Sequence, residues 1–106
     1  MLNIAVLVSG GGTNLQALID AEKAGKIENG KISVVVASKP GVYALERAKN
    51  AGIEGIVLAR SDYENVDAYS EALENLLKEK HTDLIVLAGF MTITNEKFTK
   101  AFENKI

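Results

Sequence analysis

Four short apolar runs, Leu2 to Val8, Ile32 to Ala37, Ile56 to Leu58 and Leu84 to Ala88, punctuate the chain, and between them the apolar residues switch to helical spacing. Each run is continuous rather than alternating, as in strands covered on both faces. Leu15, Leu18, Ile19 and Glu22 share one face of a first helix that opens at Asn14 and stops at Gly25. Leu45 and Ala48 mark a second helix ending before Gly52, and Tyr69, Leu73, Leu76 and Leu77 a third between Asp67 and Lys80. Phe98, Ala101 and Phe102 mark a fourth, with Thr94 placed to cap it. Alternating strands and helices imply right-handed crossovers and a parallel sheet. The expected fold is α/β, a Rossmann-like parallel sheet with its first and fourth strands adjacent.

The length of 106 residues, 47% of them apolar, suffices for one core and one domain. A net charge of −2 with no cluster of Lys or Arg predicts no nucleic-acid partner and no anionic membrane surface. The lack of cysteine removes disulfides and thiolate metal sites, and His81 alone makes no zinc centre, so no metal is expected. No apolar run is long enough to span a bilayer and no basic segment precedes the first, so the expected location is cytoplasmic.

Chemistry concentrates at Ser9-Gly10-Gly11-Gly12-Thr13-Asn14-Leu15, which joins the first strand to the first helix. Glycines let the backbone turn sharply and approach a ligand closely, and the helix that follows offers free N–H groups and a positive dipole end. Gly10, Gly11, Gly12, Thr13 and Asn14 are therefore candidates for binding a phosphate. A plain strand-to-helix turn with Thr13 or Asn14 as cap fits the same residues. On the phosphate reading, valine at position 12 should abolish binding with the fold intact. The turn is not a P-loop, since no Gly-Lys-Ser/Thr ends it, and Leu15 stands where the dinucleotide fingerprint needs a glycine. A dinucleotide-dependent oxidoreductase would also place an acid after the second strand, where Ala37-Ser38-Lys39-Pro40 stands.

With the first and fourth strands adjacent, Gly89, Phe90, Met91, Thr92, Ile93 and Thr94 border the same crevice as the glycine turn, although Phe90 and Met91 also suit core packing. The loop Ala59 to Asn65 lies on this side too and reads as a solvated connection, carrying Asp62 and Glu64. His81 and Asp83 precede the fourth strand and belong to the opposite edge, while Glu71, Glu74, Lys78 and Glu79 read as a solvated helix face. No nucleophile stands beside a base. Lys105-Ile106 reads as the start of a fifth strand, so the chain reads as a fold truncated after about four strands and four helices. The apolar edge Leu84-Ile85-Val86-Leu87 then invites self-association. On residues alone, a stand-alone phosphate- or nucleotide-binding module remains an alternative to an enzyme fragment.

The run Val8-Ser9-Gly10-Gly11-Gly12-Thr13-Asn14-Leu15-Gln16-Ala17, with Leu45-Glu46-Arg47-Ala48 and Leu87-Ala88-Gly89-Phe90-Met91, closely resembles the phosphoribosylglycinamide formyltransferases of purine synthesis, in their order and spacing. The resemblance covers the whole chain and about the N-terminal half of that family's domain. It implies the formyltransferase fold, glycinamide ribonucleotide as substrate and 10-formyltetrahydrofolate as formyl donor. It further implies that Gly12, Thr13 and Asn14 hold the ribose phosphate, and that Met91, Thr92, Ile93 and Thr94 line the folate pocket through backbone groups. The family carries arginines where this chain has Val66 and Thr92. Its catalytic asparagine, histidine and aspartate are expected beyond Ile106, so no catalytic residue is assigned within these residues and the isolated chain is expected to be inactive.

Overall fold

In the computed structural model of the chain, residues 2–27, 29–90 and 94–102 are described. They form β1 (Leu2–Val8), α1 (Thr13–Lys23), β2 (Gly30–Ala37), α2 (Tyr43–Asn50), β3 (Glu54–Val57), α3 (Val66–Glu79), β4 (Leu84–Leu87) and α4 (Glu96–Ala101), with a 3₁₀ turn at Arg60–Asp62. The four strands make one sheet in the order β3-β2-β1-β4. Every neighbouring pair is parallel, and β1 lies beside β4 as the alternation predicts.

The continuous apolar runs are explained by two cores, one on each face of the sheet. Ile4, Val6 and Val8 of β1 pack with Leu15 and Ile19 of α1 and Ala44 and Ala48 of α2. Ala5 and Leu7 face the other way, onto Tyr69, Leu73 and Leu77 of α3, Phe98 of α4 and Phe102 at its C-terminal end. A register shift between Ile4 and Ala5 makes Ser33 an extra residue in β2, so that Ile32, Val35 and Ala37 share one core while Val34 and Val36 serve the other. The Ser33 hydroxyl donates to the Ile4 carbonyl at 3.3 Å. Glu22, on the face of α1 assigned from its spacing, accepts a hydrogen bond from the Ile32 N–H and ties the end of α1 to this bulge.

One element boundary differs from expectation in an instructive way. Asn95, not Thr94, caps α4: its side-chain oxygen accepts from the Phe98 N–H at 2.9 Å, while its own N–H donates to Ser70 Oγ and its amide to Asp67 Oδ1. The cap is thus chosen by contact with α3 as well as by α4 itself. α3 ends without glycine: His81 takes the left-handed conformation, with φ of 54°, that a helix C-terminus commonly gives to glycine. His81 is exposed at the edge opposite the glycine turn, where the Asn3 amide donates to its carbonyl and the Asn3 N–H donates to Asp83 Oδ2 at 2.7 Å. Asp83 therefore clamps β1 to the entry of β4. The expected fifth-strand start, Lys105-Ile106, lies outside the described residues.

The loop after β3 is more ordered than a solvated connection. Ala59 is buried, Arg60 Nη1 donates to the Tyr63 carbonyl, and the Tyr63 ring meets Tyr69 edge-on at 5.5 Å. Ser61, Asp62, Glu64 and Asn65 do face solvent. The fully buried Tyr69 donates its hydroxyl to the Leu58 carbonyl at 2.9 Å. Burial, with a smaller push from Tyr63 against a pull from Arg60, moves its phenol up to about 12. The unfolded chain loses that proton near pH ~10, so between pH ~10 and ~12 the folded state holds a proton the unfolded state has released. Stability should therefore fall over this window, by about 2–3 kcal/mol in full. Tyr69→Phe should remove that share of the alkaline slope in urea unfolding series; an unchanged slope would show that Tyr69 does not titrate in this way.

Candidate functional site

At the carboxyl end of β1 the backbone is held by β2 and α2. The Ser38 N–H donates to the Val8 carbonyl at 3.0 Å, and the buried hydroxyls of Ser9 and Ser38 meet at 2.8 Å. Each glycine carbonyl that follows has a partner inside the protein. Gly10 accepts from the Ala44 N–H at 3.4 Å, Gly11 from Arg47 Nε at 2.9 Å and Gly12 from the Gln16 N–H at 2.8 Å. In a trans peptide the N–H points opposite to the C=O, so tying these carbonyls inward turns the N–H groups of Gly11, Gly12 and Thr13 outward. Among the described residues, none accepts a hydrogen bond from the backbone N–H groups from Gly11 to Leu15. Gly12 itself is the N-cap of α1, with no side-chain cap and no acidic residue in the first turn. Thr13 and Asn14 are exposed residues of that turn and do not cap it. The positive end of the α1 dipole is left open to an anion.

The three glycines differ in what requires them. Gly12 has a φ of 80°, and a Cβ there would lie 2.8 Å from the Ala44 Cβ and 2.9 Å from its Cα. A Cβ at Gly10 or Gly11 would meet nothing within 4 Å. The expectation that valine at position 12 leaves the fold intact therefore fails, because that glycine is where α2 packs against the turn. At positions 10 and 11, by contrast, a side chain enters only the open face.

The second loop reaches the same edge. β4 continues β1 in register from Ile4↔Leu84 to Leu7↔Leu87, and the Ala88 N–H donates to the Leu7 carbonyl at 2.9 Å. Ala88 is buried in the core that holds Val8 and Leu15. Gly89 follows with φ of 72° and open space around it, and Phe90 turns back to pack on the α3 and α4 core. Thr94 is half-buried; Met91, Thr92 and Ile93 lie outside the described residues. The glycine turn and the start of this loop thus leave adjacent strands side by side, whereas His81 and Asp83 stand at the far edge.

A family model described as formyl transferase matches residues 2–106. The chain belongs to the formyl transferase family. The phosphoribosylglycinamide formyltransferase of Haemophilus influenzae is 45% identical over 106 residues, which is 100% of this chain and 50% of that protein. The enzyme of the same name from Escherichia coli is 39% identical over 105 residues, 99% of this chain and 49% of its own length. The crystal structure of glycinamide ribonucleotide transformylase 1 from Symbiobacterium toebii matches with a TM-score of 0.93 at 38% identity, covering 100% of this chain and 50% of that one. The chain therefore spans about half the length of the curated relatives it matches.

In this formyl transferase chain the candidate phosphate residues lie on one turn, and three further residues, none of them a site candidate from the sequence, pack around it. Arg47 reaches from α2 to the Gly11 carbonyl, sends Nη1 to Gln16 Oε1 at 3.1 Å, and lies 4.8 Å from the centre of the Tyr43 ring. Gln16 also donates to Asp20 Oδ1. Ser38 occupies the end of β2 where a dinucleotide enzyme would present a carboxylate to a ribose, and its hydroxyl is engaged with Ser9. Only the packing of α2 over the turn, through Ala44, brings Arg47 to it; periodicity marks Arg47 merely as the polar neighbour of Ala48. Among the described residues no helix is long and apolar enough to cross a membrane.

Proposed function

We propose that this chain provides the substrate-phosphate side of a phosphoribosylglycinamide formyltransferase, which transfers a formyl group from 10-formyltetrahydrofolate to glycinamide ribonucleotide. The observation that carries the reading is the glycine turn whose carbonyls are tied inward while its N–H groups face out at the start of α1. Gly10, Gly11, Gly12, Thr13 and Asn14 hold the ribose phosphate there. The relatives that align with the whole of this chain, a phosphoribosylglycinamide formyltransferase and a glycinamide ribonucleotide transformylase, support the same substrate. Gly89, Phe90, Met91, Thr92, Ile93 and Thr94 form the neighbouring wall, on which the folate donor lies.

In the reaction, the glycyl amine attacks the formyl carbon to give a tetrahedral intermediate. The bond from that carbon to the folate nitrogen then breaks, and the proton lost by the amine replaces the formyl group on the leaving nitrogen. The contribution of this chain is positional: anchoring the phosphate fixes the far end of the substrate and directs the amine toward the donor. No step requires a metal.

Calorimetry with glycinamide ribonucleotide and its phosphate-free riboside tests the reading. The phosphate should strengthen binding by about 100-fold or more, the scale of a few charge-assisted hydrogen bonds. Equal affinity for the two would dismiss the phosphate site.

A further inference from the structure

We infer that Arg47 is a positioning residue for the anion site, acting through the Gly11–Gly12 peptide without touching the ligand. The inference rests on the phosphate-site reading above and deepens it.

The orientation of the Gly12 N–H is the quantity at issue. Nothing in the glycine turn's own chemistry selects it, because residues without a Cβ populate many backbone conformations. Arg47 supplies the selection: Nε donates to the Gly11 carbonyl at 2.9 Å and so directs the Gly12 N–H to the opposite side of the peptide plane. The guanidinium is itself held on two further sides. Nη1 donates to Gln16 Oε1 at 3.1 Å, and the Tyr43 ring lies 4.8 Å away. Gln16 belongs to α1, whose first turn supplies the remaining outward N–H groups, so one planar side chain on α2 fixes the turn relative to the helix that follows it. Gly12 completes the arrangement, since its missing Cβ lets Ala44, one turn of helix before Arg47, sit directly against the turn. Lysine offers a point charge in place of the fork and cannot hold both acceptors in one geometry.

The experiment measures affinity for glycinamide ribonucleotide by calorimetry, at a temperature where circular dichroism shows each variant folded. Arg47→Met should weaken binding by about tenfold or more, the scale of one misdirected charge-assisted donor. Arg47→Lys, which keeps the charge, should recover only part of that loss. Gln16→Met should fall between the parent and Arg47→Met, and the double variant Arg47→Met with Gln16→Met should bind no more weakly than Arg47→Met alone, because the two residues act in one chain of contacts. Full recovery by lysine would show that charge alone matters and overturn the inference. Parental affinity in Arg47→Met, or simple additivity in the double variant, would do the same. If Arg47→Met does not fold, Gln16→Met and Arg47→Lys carry the test: parental affinity in either overturns it. If the unsubstituted chain fails to bind glycinamide ribonucleotide, the phosphate-site reading falls, and this inference falls with it.

Discussion

Valine in place of Gly12 should lower the unfolding free energy by about 3 kcal/mol. Two separate costs combine. At a φ of 80° a β-branched residue sits in the left-handed region that L-amino acids avoid, which costs about 1–2 kcal/mol. The new Cβ would also lie 2.8 Å from the Ala44 Cβ and 2.9 Å from a backbone atom of α2, so α2 itself has to retreat. Forcing extra carbon into a packed contact costs a further 1–3 kcal/mol, roughly. Because the turn is built on α2, the displacement also loosens the hydrogen bonds to Gly10 and Gly11. Chemical denaturation reads the loss directly, and a variant as stable as the parent would show that α2 does not press on the turn.

Gly11→Val should have the opposite profile: unfolding within about 0.5 kcal/mol of the parent, and affinity for glycinamide ribonucleotide reduced by about 100-fold or more. A Cβ at this position meets nothing within 4 Å and the backbone is not left-handed, so the folded chain accepts it. The space it enters is the open face of the turn, in front of the N–H groups proposed to receive the phosphate. Calorimetry and denaturation on the same preparation separate the two effects. Unchanged affinity in Gly11→Val would return the glycines to a purely structural role.

The two valines together show how far the residues alone can be read. The motif announces a close approach of the backbone to something, and the residues alone treat all three glycines alike, as ligand contacts or as a plain turn. In the folded chain the glycines part company. At Gly12 the close neighbour is Ala44, and at Gly10 and Gly11 it is open space. Sequence cannot make this distinction, because glycine is demanded equally by a ligand, by a helix pressed against the chain and by a positive φ. The same ambiguity governs the cap of α4. Thr94 and Asn95 are both good capping types, and Asn95 holds the position because its amide and N–H also reach Asp67 and Ser70 of α3.

Local pattern determined the order and kind of the elements, the parallel sheet with β1 beside β4, and the edge at which the glycine turn and the Gly89 loop emerge. The elements follow from periodicity, which acts between near neighbours in sequence, and the strand order from the right-handed crossovers and Rossmann-like arrangement that such alternation favours. Tertiary structure alone decided the bulge at Ser33 that divides β2 between two cores, the αL conformation of His81, and the arrival of Arg47 at the Gly11 carbonyl. The physical reason is range. A helix or strand is written in the spacing of its own side chains, whereas the direction of one peptide N–H depends on a partner 36 positions away, brought there only when α2 packs beside α1.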